Sequence, residues 1–189
     1  SRSVHLSFGM VLAFLIYPMM RKPYFLKKIR WFGYTFAAIG LGTASYIAVF
    51  YNEISLRPGD YTATDIFIAV VAIVILLEAG RRVLGLALSI IAIVFLAYSF
   101  LGPYMPELII HKGASLNKLA GHMYLTTEGV FGVPLGVSAG FVFLFVLFGS
   151  LLDKAGAGEY FINLAYALLG KFRGGPAKAA VVASGFTGI

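Results

Sequence analysis

Four stretches of this chain, about 3–20, 33–51, 83–106 and 129–152, are long, apolar and free of Asp, Glu, Lys and Arg. Each approaches the roughly 20 residues that an α-helix needs to cross a bilayer. A fifth run, 66–77, is shorter and is bounded by Asp65 and Glu78. A soluble domain has nowhere to bury so much apolar surface, because no polar face would be left for water. The expected fold is therefore all-α and polytopic, with about five transmembrane helices. Hydrophobic residues are 60% of the chain, against roughly 45–50% in soluble domains. The absence of cysteine removes disulfides, thiolate metal sites and thiol nucleophiles.

Charge position gives an orientation. In chain order, Arg21, Lys22, Lys27, Lys28 and Arg30 follow the first run, 3–20; Arg81 and Arg82 follow the third, 66–77; Lys154, Lys171, Arg173 and Lys178 follow the fifth, 129–152. These segments hold five, two and four residues, so 11 of the 15 basic residues share one side of the membrane. The positive-inside rule makes that side cytoplasmic, leaving 52–64 and 107–128 outside. The net charge of +7 thus reads as topology and as affinity for anionic lipid, not as a nucleic-acid surface.

Local signals fill in the loops. Tyr17-Pro18 is expected to close the first span, and Arg57-Pro58-Gly59-Asp60 to form a turn. Thr64-Asp65 is expected to cap the third span, and Gly80 and Gly85 to bracket a tight cytoplasmic turn. Span 4 should stop at Gly102-Pro103 and Pro106. In the outer loop Ser115 is placed to cap a short interfacial helix with Leu116, Leu119, Ala120, Met123 and Tyr124 on one face. Span 5 carries Pro134 and a Phe-rich stripe of Phe141, Phe143, Phe145 and Phe148.

Beyond span 5, Phe161, Leu164, Ala165, Leu168 and Leu169 recur at helical spacing. Residues 158–171 are expected to form an amphipathic arm on the inner surface, too short to span. Gly174, Gly175 and Pro176 then form the entry to a run of small apolar residues, with Pro176 as first helical residue. A helix entering there and halting over Ser184-Gly185-Phe186-Thr187-Gly188 is the expected first limb of a re-entrant hairpin. The chain opens on Ser rather than Met, without a signal peptide's charged start, and stops inside an apolar run; it is expected to be a fragment of a longer protein.

These residues resemble a known family. Phe141–Gly149, Asp153-Lys-Ala-Gly156 and Gly170-Lys-Phe-Arg-Gly-Gly-Pro-Ala-Lys178 are similar to the large permease domain of tripartite ATP-independent periplasmic (TRAP) transporters. Ser3-Val-His-Leu6, Tyr17-Pro18, Arg57–Asp60 and Leu77-Glu-Ala-Gly-Arg-Arg82 resemble the fused small-plus-large permease, often paired with TAXI-type binding proteins. The resemblance implies a sodium-driven importer of small organic anions in a bacterial or archaeal inner membrane. A periplasmic substrate-binding protein delivers the substrate, and a mobile domain moves like an elevator. It implies small-permease-like helices over 1–82, scaffold helices over 83–152, a cytoplasmic arm over 153–175 and the start of the transport hairpin over 176–189. Ser184, Gly185, Thr187 and Gly188 would approach the ion and substrate sites. Sodium would be the coupling ion, with no other cofactor.

Blander readings stand beside these. Glu78, with Arg81 and Arg82 three and four residues on, reads first as a helix-end ion pair rather than an ion-carrying carboxylate. Asp65 reads as a helix N-terminal charge. His5, His111 and His122 share no metal-ligand spacing. Ser184 and Thr187 are common helix-packing hydroxyls as well as candidate oxygens for sodium. A non-transporting membrane scaffold or assembly subunit is the alternative function. A membrane enzyme lacks paired carboxylates or a His cluster to support it.

Overall fold

The third helix shows how polar residues extend an apolar run. Thr62 is extended (φ −69°, ψ 160°), and its hydroxyl accepts from the Asp65 backbone N–H at 3.3 Å. The Asp65 carboxylate returns the contact, accepting from the Thr62 N–H at 2.9 Å. This reciprocal capping box puts the cap at Thr62, not at the expected Thr64-Asp65, with Asp65 at the third helical position. At the other end, Glu78 accepts from Arg81 and Arg82 at i+3 and i+4, so the helix continues through charge. The short 66–77 run becomes a 22-residue helix, Ala63–Leu84, long enough to cross a bilayer.

The computed structural model describes residues 2–17 and 26–187, with the side chains of 26–30 and 186–187 outside that description. Helix α1 is Arg2–Ile16, α2 is Leu26–Ser55 and α3 is Ala63–Leu84. Helix α4, Leu86–Leu101, ends in a 3₁₀ turn, Gly102–Tyr104. Helix α5, Leu116–Ala120, runs into a π-helical turn, Gly121–Leu125. Helix α6, Val133–Val137, passes through a π turn, Ser138–Val142, into α7, Phe143–Lys154. Helices α8, Ala157–Leu169, and α9, Gly175–Thr187, follow. Strands are absent among the described residues.

Among the described residues four helices are long and apolar enough to cross a membrane: Trp31–Ser55, Ala63–Leu84, Leu86–Tyr104 and Val133–Lys154. The chain is thus an all-α, multi-pass membrane protein. Helix α1 has 15 residues, short of the expected 3–20 span, and Pro18 to Lys22 lie outside the described residues. Most of the expected cytoplasmic segment 21–32 lies outside them as well. Span 5 starts at Val133, with Gly132 as cap and Pro134 in its first turn, where its missing N–H costs nothing. Residues 129–132 form a turn instead, Val130 N–H bonding the Met123 carbonyl at 2.8 Å.

The reversal between α3 and α4 needs only one residue. Gly80 stays helical, and Gly85 alone breaks the path at φ 93°, a conformation that L side chains rarely adopt. The Ser89 hydroxyl then donates back to the Leu77 carbonyl at 3.1 Å.

The chain divides into two units, Ser1–Ala139 and Gly140–Ile189. In the first, Leu6, Met10 and Phe14 of α1 pack with Ala37, Ala44 and Ile47 of α2 and Ala69, Ala72 and Ile75 of α3. Gly40 of α2 sits against Met10 and Ile75, and such small residues let membrane helices approach closely. Late α2 meets early α3 where Tyr46 bonds Asp65 (2.6 Å), and the end of α3 meets the end of α1 where Arg82 covers Phe14 (4.8 Å). Helices α1 and α3 therefore run one way and α2 the other.

The expected interfacial helix is capped by Ser115 as anticipated, but it turns inward. Leu119, Ala120, Tyr124 and Leu125 are buried, whereas Leu116 is exposed. In the second unit Ala165 and the half-buried Leu169 of α8 pack against Ala179 and Ala183 of α9. Leu164 and Leu168 of the arm's expected apolar face are exposed.

Candidate functional site

The residues singled out from the sequence lie at the two ends of α9. Gly174 has φ 74°, and Gly175 begins the helix, so Pro176 is its second residue rather than its first. A side chain at Gly175 would strike the Leu169 and Gly170 carbonyls, which fixes glycine at the α8–α9 corner. The halt is expected over 184–188, and α9 stays helical through Thr187, inside that stretch. Ala183 faces α8, while Ser184 and Gly185 are exposed. Gly188 and the Thr187 side chain lie outside the description. The structure brings 174–176 to one end of α9 and 184–187 to the other, and the described part of α9 contains no broken-helix ion cradle.

The strongest polar cluster lies in the first unit. Asp65 is 0% exposed. Its carboxylate accepts from the Tyr46 hydroxyl (2.6 Å), the Thr62 hydroxyl (2.7 Å) and the Thr62 N–H, and pairs with Arg57 at 3.3 Å. A buried carboxylate is tolerated only when its lone pairs are filled, and these are. The three-residue spacing of Thr62 and Asp65 is a readable cap signal; Tyr46, 19 residues upstream, gives none.

A second cluster closes the opposite end of α3. Glu78 takes two bonds from Arg81 (2.7 and 2.8 Å) and one from Arg82 (2.8 Å). The Arg82 side chain is 2% exposed and lies over Phe14 and Phe36, 4.8 and 5.3 Å from their ring centres. Both carboxyl oxygens of Glu78 are thus held by guanidinium groups, and the helix-end ion-pair reading holds.

Between these ends Tyr124 is buried, its ring edge-on to Phe131 at 5.2 Å. Its hydroxyl lies near Thr43 without a hydrogen bond, and burial pushes the phenol up to about 12. An open cavity of about 680 Å³ is lined by Arg2, Tyr51, Thr126, Thr127 and Phe131. Arg2 donates to the Phe131 carbonyl (2.7 Å) and lies over Gly136, and His5 bonds Ser138 (3.1 Å). These contacts tie α1 to the start of α6. No group of three or more His, Cys, Asp or Glu that could hold a metal ion occurs among the described residues.

Comparison with known proteins adds one finding. Residues 71–189, more than half of the chain, match the model for the DctM component of the tripartite ATP-independent periplasmic transporter. The match starts inside α3 and takes in both α4 and the α8–α9 pair. No curated protein and no solved structure matches the chain. The chain is a multi-pass membrane protein that belongs to the tripartite ATP-independent periplasmic transporter family, as a DctM-type permease component.

Proposed function

We propose that the permease containing this chain is a sodium-coupled secondary importer of small organic anions, carboxylates in particular. It works with a periplasmic substrate-binding protein of the TAXI type, by an elevator-type movement, in a bacterial or archaeal inner membrane. The observation that carries this reading is the DctM match over 71–189. The resemblance of 1–82 to the small permease supports a fused subunit, with α1 and α2 packing into one core with α3.

Within this chain the part nearest the ion is α9. Since α9 continues through Thr187, hydroxyl oxygens of Ser184 and Thr187 are the proposed contributors, with Gly185 and Gly188 allowing close approach. The paired carboxylates argue the same way: Asp65 is held by Tyr46, Thr62 and Arg57, and Glu78 by Arg81 and Arg82, so each is already committed to a partner.

The test is uptake into proteoliposomes holding the whole permease. Replacing sodium by potassium should abolish uptake, and so should omitting the binding protein. Uptake that tracks ATP or a proton gradient without sodium would overturn the proposal. Failure to transport under any gradient would favour a scaffold subunit. Ser184→Ala should raise the sodium concentration needed for half-maximal uptake.

A further inference from the structure

The segment after α4 does not leave the membrane end as a free loop. It folds back onto the last two turns of the helix. The His111 N–H bonds the Gly102 carbonyl (3.2 Å), and the Ala114 N–H bonds the Ser99 carbonyl (2.8 Å). The Tyr98 hydroxyl donates to the Ile109 carbonyl at 2.8 Å. His111 itself is the pin. Its Nδ1 accepts from the Gly113 N–H (3.0 Å), so the proton sits on Nε2, which donates to the Tyr98 carbonyl (3.1 Å). Its ring packs edge-on to Tyr98 (4.6 Å) and fills the space above Gly102, where a side chain would collide with it.

This folding back fixes depth. Tyr98 lies six residues before the end of the Leu86–Tyr104 span, roughly 9 Å along a helix. The pinned segment therefore lies beside the end of a membrane-crossing helix. What it turns outward is apolar: Leu108 is 97% exposed, Tyr104 86%, and Ile109 and Ile110 are about half exposed. Five of its backbone N–H groups are met within the protein: Met105 and His111 donate to the Gly102 carbonyl, Ile109 to Pro106, Gly113 to His111 Nδ1 and Ala114 to Ser99. These bonds lower the cost of placing irregular backbone beside a membrane helix, and at the interface water and headgroups can meet the remaining groups. Lys112 follows the apolar tip and is exposed, as expected of a side chain reaching back to headgroups, and the exposed Glu107 within the segment limits it to interfacial depth.

We propose that Tyr104–Ile110 is an interfacial wedge that inserts into the lipid leaflet at the C-terminal end of α4, held in place by His111. Lipid is the occupant for two reasons. The wedge continues the outward face of α4, whose Val94, Phe95 and Leu101 are exposed. It also lies level with a part of the helix that a bilayer must surround. The wedge anchors one end of α4, and goes beyond the proposed transport function without depending on it.

The experiment places bimane on Leu108→Cys in the whole permease in liposomes, with any other cysteine replaced by serine. Brominated lipid and aqueous iodide serve as alternative quenchers, with Asp60→Cys as the water-exposed reference. Strong quenching by brominated lipid and weak quenching by iodide is the expected result. Strong quenching by iodide would put the segment in water, and protection from both would mean that protein covers it; either overturns the proposal. Adding His111→Ala should lose the lipid quenching while Asp60→Cys reports unchanged iodide access. Retained lipid quenching in that variant would refute the role of His111 as the pin.

Discussion

Asp65→Ala should be among the most destabilising single substitutions in the first unit. It removes three hydrogen bonds to a fully buried carboxylate and its ion pair with Arg57. Breaking one side of a buried pair costs about 3–5 kcal/mol, largely through the uncompensated partner. The Arg57 side chain is 37% exposed and regains water, so the loss belongs at the lower end, about 3 kcal/mol. At about 2–4 °C per kcal/mol for a chain of this size, the melting temperature falls by about 6–12 °C. Tyr46→Phe removes one bond to the charge and should cost about 1.5–3 kcal/mol. The double variant should lose less than the sum, by about 1 kcal/mol or more, because the hydroxyl has value only while the carboxylate is there. Thermal melts of purified protein in detergent, read by size exclusion and circular dichroism, measure all three. An Asp65→Ala variant melting with the parent, or strictly additive losses, would refute the clasp.

Four other outcomes follow from the packing and charge. Gly121→Ala should lower the melting temperature, because its new methyl meets the Tyr61 ring, whereas Gly140→Ala, in open space, should not; paired melts distinguish them. Ala179→Leu should loosen the α8–α9 pair by about 1–3 kcal/mol through overpacking, seen as faster proteolysis near 170–175. Arg82→Gln should destabilise more than Arg81→Gln, since Arg82 is buried over two rings and Arg81 is partly exposed; melting temperatures check the order. With impermeant thiol reagents on intact cells, Asp60→Cys should label and Lys154→Cys should not; the reverse pattern would invert the orientation read from charge.

The apolar runs were legible because length and composition alone decide whether a helix can span. What they could not give was length at charged ends. Asp65 and Glu78 looked like boundaries, yet each is absorbed into α3 by a partner three or four residues away. Gly80 and Gly85 looked equivalent, and only the geometry of the reversal separates them. The outer helix was found from its Ser115 cap, but its burial depends on Tyr61 and α3, far away in sequence. The run 184–188 read as the place where a membrane-entering helix halts, yet α9 stays helical through Ser184 and Gly185 to Thr187. A single Gly costs only about 1 kcal/mol in a helix, and the same helix packs Ala179 and Ala183 on α8.

Placement of charge also limits where transport chemistry can reside in this chain. An ionisable side chain within a membrane segment is expensive and is usually retained for a task. In α3 that task is visible: Asp65 fastens one end to α2 and to the preceding turn, and Glu78 fastens the other through Arg81 and Arg82. These groups hold helices against each other, and an ion that took their oxygens would have to displace a guanidinium or a phenol. Helix α9 has the opposite character. It carries Lys178 near its start and thereafter only small apolar residues, hydroxyls and glycine up to one phenylalanine and a threonine. Side chains of this kind neither demand a partner nor exclude an ion, and their small volume lets another backbone approach. The proposed division of labour therefore has a physical basis: charge fastens the first unit, and the oxygens proposed to meet a cation are neutral hydroxyls at the end of α9.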